Sequence, residues 1–161
     1  PGSSTLDLTR TVENLIVLRT FSKWGGLAGL RVGYGIFPDW ITPAIWKIKQ
    51  PYNVNVAGAV AARATLRNLD QLEEQTAAII AERKRLYGKL QEISWLFPYS
   101  SQSNFILCRV GGREAGQVKE NLAQEGILIR YFNQPGLDDH IRISVGKPED
   151  TNALLKALWK L

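Results

Sequence analysis

The sequence predicts an α/β protein in two blocks, and three observations carry that prediction. Strand-sized apolar runs alternate with helix-sized segments along the chain. One amphipathic stretch, from about Leu72 to Phe97, is much longer than the others. After it, Gly and Pro punctuate a strand–helix–strand–strand–helix order. Residues 1–70 read as the edge of an α/β layer. Residues 71–161 read as a smaller α/β domain hung from the long helix.

Each element follows from local pattern. Asn14 to Arg19 reads as a short buried strand and Leu30 to Ile36 as another, joined by a loop from Thr20 to Gly29 that holds three glycines. Pro38 and Asp39 open a helix through about Lys49. Gln50 to Asn55, with Pro51 and two asparagines, is a loop, and alanine-rich Val56 to Leu69 is helical. In the long helix, Leu72, Thr76, Ile79, Arg83, Leu86, Leu90, Ile93 and Phe97 step by four and three along one face, and Pro98 stops it. Arg83 interrupts that stripe, as an arginine snorkelling at an edge would.

Beyond Pro98, Ser103 to Val110 is a strand, and Gly111 and Gly112 lead to a helix that Gly126 ends. Ile127 to Tyr131 and His140 to Val145 are further strands, the last alternating Ile141, Ile143 and Val145. Pro148 opens the final helix, with Glu149 and Asp150 in its first turn. The second block is therefore expected to hold a three-stranded sheet with helices on one face.

Composition narrows the function classes. With 45% hydrophobic and 22% charged residues, the 161-residue chain is globular rather than disordered. No apolar run approaches the ~20 residues of a membrane helix. One cysteine, Cys108, excludes an internal disulfide framework and suits a cytoplasmic setting. One cysteine and one histidine, His140, cannot build a Cys/His metal site, and no metal is expected. Both residues have plain readings, Cys108 in the core and His140 at a strand end. The net charge of +5 is a modest excess, and its tightest run, Arg83-Lys84-Arg85 beside Glu82, suits a solvated helix face better than a nucleic-acid track. The chain opens Pro1-Gly2-Ser3-Ser4, contains no methionine and shows no signal-peptide pattern. A C-terminal portion of a longer protein is the expectation, with an added leader before a complete small domain as the alternative.

The chemistry concentrates between Thr20 and Arg31. Thr20 and Ser22 place two hydroxyls beside Lys23, and Arg31 follows eight residues later across glycines that allow tight turning. A phosphate here would meet hydroxyl donors and a planar guanidinium, and the lysine amine could condense with an aldehyde. A lone lysine in a glycine-rich loop is usually just solvated. The spacing argues otherwise. Ser22-Lys23 and Gly29-Leu30-Arg31-Val32-Gly33 resemble, without a gap, the pyridoxal-phosphate attachment signature of class I and II aminotransferases. Trp24 departs from the residues commoner at its place in that signature.

The resemblance spans nearly the whole chain, with the histidinol-phosphate branch of the fold-type I enzymes as its best match. Gln50-Pro51-Tyr52-Asn53-Val54-Asn55 resembles the loop after the lysine domain, and Ser103-Asn104-Phe105-Ile106-Leu107 the first small-domain strand. Gly126-Ile127-Leu128-Ile129-Arg130 and Ile141-Arg142-Ile143-Ser144-Val145-Gly146 resemble two arginine-bearing segments. The resemblance implies an α/β fold: residues 1–70 as the C-terminal edge of the large pyridoxal-phosphate domain, and 71–161 as the small C-terminal domain. It implies Lys23 as the catalytic lysine and covalent anchor of pyridoxal 5'-phosphate, with Thr20, Ser22 and Arg31 on the cofactor phosphate. Arg142 would bind a substrate carboxylate, Arg130 a distal phosphate, and Asn104 would assist. For Arg142 and Asn104 the plain alternatives are a solvent-facing strand arginine and an asparagine satisfying backbone groups. Tyr52 and Asn53 would reach a neighbouring subunit's site, or serve only the turn.

The implied activity is transamination of histidinol phosphate with 2-oxoglutarate, in histidine biosynthesis, by a cytoplasmic homodimer whose partners are amino acids and 2-oxo acids. The alternatives are an aromatic or broad aminotransferase, a phospho-amino-acid decarboxylase of the same fold, a non-catalytic folded piece, or a basic phosphate-binding module. In the family, the carboxylate facing the pyridine nitrogen, the ring-stacking aromatic and a phosphate-binding glycine turn precede the lysine. Only 22 residues do so here, and Asp7 lies in an expected helical stretch, so the segment alone is expected to catalyse poorly.

Overall fold

The computed structural model describes residues 4–161, so the first three residues of the expected 1–70 block lie outside the described residues. The chain divides into two compact units, Pro1–Glu74 and Gln75–Leu161. The division falls inside one helix, Leu69–Gln91, a few residues past the boundary expected at 70.

In the first unit, a 3₁₀ turn at Leu6–Arg10 carries Asp7. Strand β1 (Val17–Thr20) pairs antiparallel with β2 (Gly33–Ile36), Val17 opposite Ile36 and Thr20 opposite Gly33. Both strands are shorter than their apolar runs. Only Val17 of β1 is buried, and Leu18 is 71% exposed. β2 cannot start at Leu30, because Ala28–Leu30 forms a 3₁₀ turn and Arg31 then turns left-handed. Helix α1 (Thr42–Ile48) starts later than Pro38, with Pro43 in its first turn, where a missing N–H costs no hydrogen bond. Helix α2 (Val56–Arg67) is capped by Asn55, whose side chain accepts from the Gly58 N–H at 2.6 Å. Phe21, Val32 and Ala62 form this unit's small buried cluster, with Leu27 and Leu30 packed against it.

The second unit begins within helix α3 (Leu69–Gln91). It contains β3 (Leu96–Pro98), β4 (Phe105–Val110), helix α4 (Ala115–Gln124), β5 (Arg130–Tyr131), β6 (His140–Ser144) and helix α5 (Pro148–Leu158). The strands form one antiparallel sheet of four, in the order β3-β4-β6-β5, where three were expected. The extra strand is β3, taken from the expected C-terminal end of α3. Pro98 disfavours helical backbone at Phe97. The chain instead turns, and Leu96 and Phe97 pair with Val110 and Arg109. A proline is tolerated there because β3 is an edge strand.

At the opposite edge, β5 is only two residues long. Ile127 to Ile129 diverge from β6, and a cavity of about 400 Å³ opens against Ile143, Gly146 and Leu154. Other boundaries follow local chemistry. α4 ends just before Gly126, and the Asp150 carboxylate accepts from the Lys147 N–H at 2.9 Å to cap α5.

One face of the sheet carries the core. Ile106, Cys108 and Val110 of β4 and Ile141 and Ile143 of β6 pack with Leu86 and Leu90 of α3, Val118 and Leu122 of α4, and Leu154 and Leu158 of α5. Helices therefore cover that face, as expected. Cys108 is wholly buried in the core, and burial pushes its thiol up to about 12.

The α3 stripe is less regular than its spacing suggests. Ile79 is 42% exposed, whereas Arg83 does not snorkel: it is buried, with Nη1 donating to the Ser103 carbonyl at 2.9 Å. Nor is Arg83-Lys84-Arg85 simply a solvated face. Arg85 bonds both oxygens of the buried Glu82 carboxylate and reaches the Pro148 carbonyl and the Asn152 side chain. His140 is likewise more than a strand end. It is buried, stacked on Tyr99 at 5.7 Å with the Tyr99 hydroxyl 3.2 Å from Nε2, and Asp139 lies 2.5 Å from Nδ1, out of hydrogen-bonding line.

The Arg85 guanidinium, bonded to Glu82, holds that carboxyl below its ordinary 4.5. A carboxylate with a depressed folded-state value contributes stability above its unfolded value and loses it as pH falls through the folded one. Stability should therefore fall below about pH 4.5 by this route, and Glu82→Gln should flatten that part of the acid limb. Urea midpoints between pH 7 and pH 3 check it; an unchanged acid limb would remove Glu82 from the account.

Candidate active site

The lysine loop is held by its ends. Thr20 closes β1, the Phe21 N–H donates to the Val32 carbonyl at 3.1 Å, and Leu27 N–H returns to the Phe21 carbonyl at 3.0 Å. Phe21 is buried, so its neighbours Thr20 and Ser22 take positions beside the anchored residue. The Thr20 hydroxyl lies 2.8 Å from Ser22 Oγ and accepts from the Ser22 N–H at 3.0 Å. With Thr20 donating to Ser22, the Ser22 hydroxyl keeps its own proton for a further acceptor. Lys23 is exposed and makes no side-chain hydrogen bond or ion pair among the described residues. Trp24, without a role from sequence, packs against Phe21 with ring centroids 5.8 Å apart.

Arg31 has φ +57°, the sole positive value outside glycine among the described residues. A left-handed non-glycine residue costs on the order of 1–3 kcal/mol and persists only where its surroundings dictate it. Its Nη1 donates to the Ala28 carbonyl at 3.1 Å, and no carboxylate pairs with it among the described residues. Gly33 lets β2 approach β1 at this point, since a Cβ there would sit 2.7 Å from the Arg19 carbonyl oxygen. Two hydroxyls, an unpaired amine and a guanidinium bracketing one glycine-rich loop are the donor set that a phosphorylated aldehyde requires, so the residues present fit pyridoxal 5'-phosphate.

In the second unit, register brings Arg130 and Arg142 directly opposite each other on β5 and β6. Both lie on the face away from the core. Phe132 lies beneath both, 5.6 Å from the Arg130 guanidinium carbon and 6.0 Å from that of Arg142, and Phe105 is 5.1 Å from Arg142. Arg142 Nε is buried with no partner, and neither arginine forms an ion pair among the described residues. Like charges directly opposed across a sheet are unfavourable, and an anion bridging them removes the conflict. Asn104 is exposed; its carbonyl accepts from the Val145 N–H at 2.9 Å, while its side-chain oxygen has only a 3.4 Å contact with the Ser103 hydroxyl.

The first unit thus carries Thr20, Ser22, Lys23 and Arg31 along one loop, with Thr20 and Ser22 hydrogen-bonded to each other and the Arg31 guanidinium on the Ala28 carbonyl, and the second brings Arg130 and Arg142 together close to Phe132. Sequence reasoning missed Phe132 and Asn55. Asn55 directly before a helix was a visible capping signal; nothing local marks Phe132.

The strand–lysine loop–strand unit and the arginine-faced antiparallel sheet define the fold-type I class of transferases. The chain belongs to the class I and II aminotransferase family, whose model matches residues 2–158. A curated relative named histidinol-phosphate aminotransferase, from Roseiflexus castenholzii, is 54% identical over 98% of this chain and 43% of its own length. The crystal structure of histidinol-phosphate aminotransferase from Clostridium acetobutylicum superposes with a TM-score of 0.89 at 30% identity, covering 98% of this chain and 48% of that one. That of the Sinorhizobium meliloti enzyme, solved in complex with pyridoxal-5'-phosphate, has a TM-score of 0.79 at 32% identity, covering 92% and 41%. The chain therefore spans less than half the length of these relatives.

Gly33→Ala tests the loop's geometry. The added methyl meets backbone that cannot step aside, so the first unit should lose roughly 1–3 kcal/mol, the usual range for overpacking. A wild-type melting curve would show that β1 and β2 do not need this close approach.

Proposed function

We propose that a protein of the relatives' length built on this chain exchanges an amino group between the pair histidinol phosphate and 2-oxoglutarate and the pair formed by the matching ketone and glutamate; as a step of histidine biosynthesis the exchange runs toward histidinol phosphate, because histidine keeps that amino group. The observation that carries the reading is the opposed Arg130–Arg142 pair with its unpartnered Nε. The two substrates take turns and both are anionic, one through a phosphate and the other through carboxylates. Arg142 takes the carboxylate in a two-pronged hydrogen bond, and Arg130 beside it supplies the second guanidinium that a phosphate dianion needs. Asn104 offers its exposed amide at the start of β4.

In the first unit, Ser22, Thr20 and Arg31 hold the cofactor phosphate, and Lys23 Nζ anchors the cofactor. When bound, pyridoxal 5'-phosphate supplies an electron sink for the pair released as the substrate Cα–H bond breaks. Lys23 Nζ takes that proton from Cα and returns it one position further along. The buried, undisulfided Cys108 suits a cytoplasmic enzyme. Exposed apolar side chains such as Trp46, Ile48 and Tyr52 suit a homodimer contact.

In the full-length protein, Lys23→Ala should abolish covalent cofactor retention after borohydride reduction and nearly all turnover. Ordinary turnover, or retention mapped to Lys47 or Lys49, would defeat the assignment. Arg142→Ala should raise KM for every carboxylate substrate, by the roughly 2–5 kcal/mol typical of a truncated buried charge pair. Arg130→Ala should harm phosphorylated donors selectively, and equal losses with unphosphorylated donors would take the phosphate role from it. Release of carbon dioxide from a phosphorylated amino acid, without need of an oxo acid, would assign the decarboxylase alternative instead.

A further inference from the structure

Asn55 touches none of the groups placed around cofactor or substrate, yet both ends of its amide are used. Oδ1 accepts from the Gly58 N–H at 2.6 Å, which caps α2. Nδ2 donates to the Leu30 carbonyl at 2.9 Å, across 25 residues of sequence. That carbonyl belongs to the peptide entering Arg31, whose φ is +57°. The first turn of α2 can come this close because residue 58 is glycine. A Cβ there would lie 2.6 Å from Val32 Cγ2 and 3.2 Å from the Leu30 carbonyl oxygen. The contact continues inward: the Val32 carbonyl receives the Phe21 N–H at 3.1 Å and lies 3.4 Å from the Thr20 hydroxyl. One side chain thereby ties a helix start to the strained peptide and, through Val32, to the loop that carries Ser22 and Lys23.

We propose that Asn55 is a positioning residue for Arg31: its Nδ2 hydrogen bond to the Leu30 carbonyl holds the left-handed backbone that presents the guanidinium to the phosphate of a phosphorylated ligand. The inference rests on the reading of Arg31 as a phosphate ligand. A left-handed arginine relaxes to ordinary backbone unless something resists it. Among the described residues, the hydrogen bond from Asn55 is the side-chain contact made to the peptide that precedes it.

The test separates capping from positioning. Asn55→Asp keeps an oxygen for the Gly58 N–H, since aspartate caps as well as asparagine, but a carboxylate cannot donate to Leu30. Asn55→Ser keeps a neutral cap and also loses the reach. In the full-length protein both keep the cap and should lower the melting temperature of the cofactor-free form by no more than a few degrees, the size of one lost hydrogen bond. Both should weaken pyridoxal 5'-phosphate binding by about three- to tenfold, the size of one neutral hydrogen bond. Binding of pyridoxal, which lacks the phosphate, should not change, and neither variant should cause further loss in an Arg31→Ala background.

Wild-type affinity in both variants, an equal loss for pyridoxal, or full additivity with Arg31→Ala would each overturn the proposal. A loss confined to Asn55→Asp would also overturn it, since that is charge repulsion. If Arg31→Ala alone leaves pyridoxal 5'-phosphate affinity intact, the phosphate role of Arg31 fails and this inference fails with it. If the Arg31→Ala loss stands while both Asn55 variants bind normally, only this inference is lost.

Discussion

A β-strand sends alternate side chains to opposite faces, and the second unit depends on how β4 and β6 use that constraint. Ile106, Cys108 and Val110 face the same way as Ile141 and Ile143, and α3, α4 and α5 pack over that face. An antiparallel sheet does not need its other face covered. That face is where Phe105, Arg109, His140 and Arg142 must go. The outward placement of Arg142 is thus a consequence of the core, since a one-residue slip of β6 would bury Arg142 and expose Ile141 and Ile143.

Arg130 opposite Arg142 is an electrostatic conflict that the sheet tolerates because the core outweighs it. An unfavourable cross-strand pair is worth roughly 0.2–1 kcal/mol. Fully burying one isoleucine or leucine returns about 1.5–3 kcal/mol, and several lie directly beneath. Phe132 lowers the conflict further by offering its ring to both guanidiniums. The first unit has less in reserve. Its buried cluster is Phe21, Val32 and Ala62, and it also carries the strained backbone of Arg31. Its stability therefore leans on specific local devices, such as the Asn55 amide and the missing Cβ at Gly58.

Much of this was legible in the sequence because the signals are local. Period-two alternation at Ile141 and Ile143 marks a strand wherever it pairs. Pro148 with Asp150 marks a helix start, and Gly126 a helix end, whatever surrounds them. The lysine loop was legible because its donors lie within a dozen residues of one another. What was misread depended on distant partners. Leu96 to Pro98 left α3 for an edge strand because Val110 and Arg109 were there to pair with. Ile127 to Ile129 stayed unpaired, and Arg83 was buried because the Ser103 carbonyl was within reach.

By itself, the sequence determined the α/β class, the order of most elements, the inward face of β6 and the residue types of the lysine loop. Each follows from backbone preference and side-chain spacing over a few residues. Only the tertiary structure decided that Arg130 stands opposite Arg142, that Phe132 serves both, that Arg31 turns left-handed and that Asn55 reaches Leu30. Those are matters of register and close approach, set when segments far apart in sequence pack together, and no short stretch of chain encodes them alone.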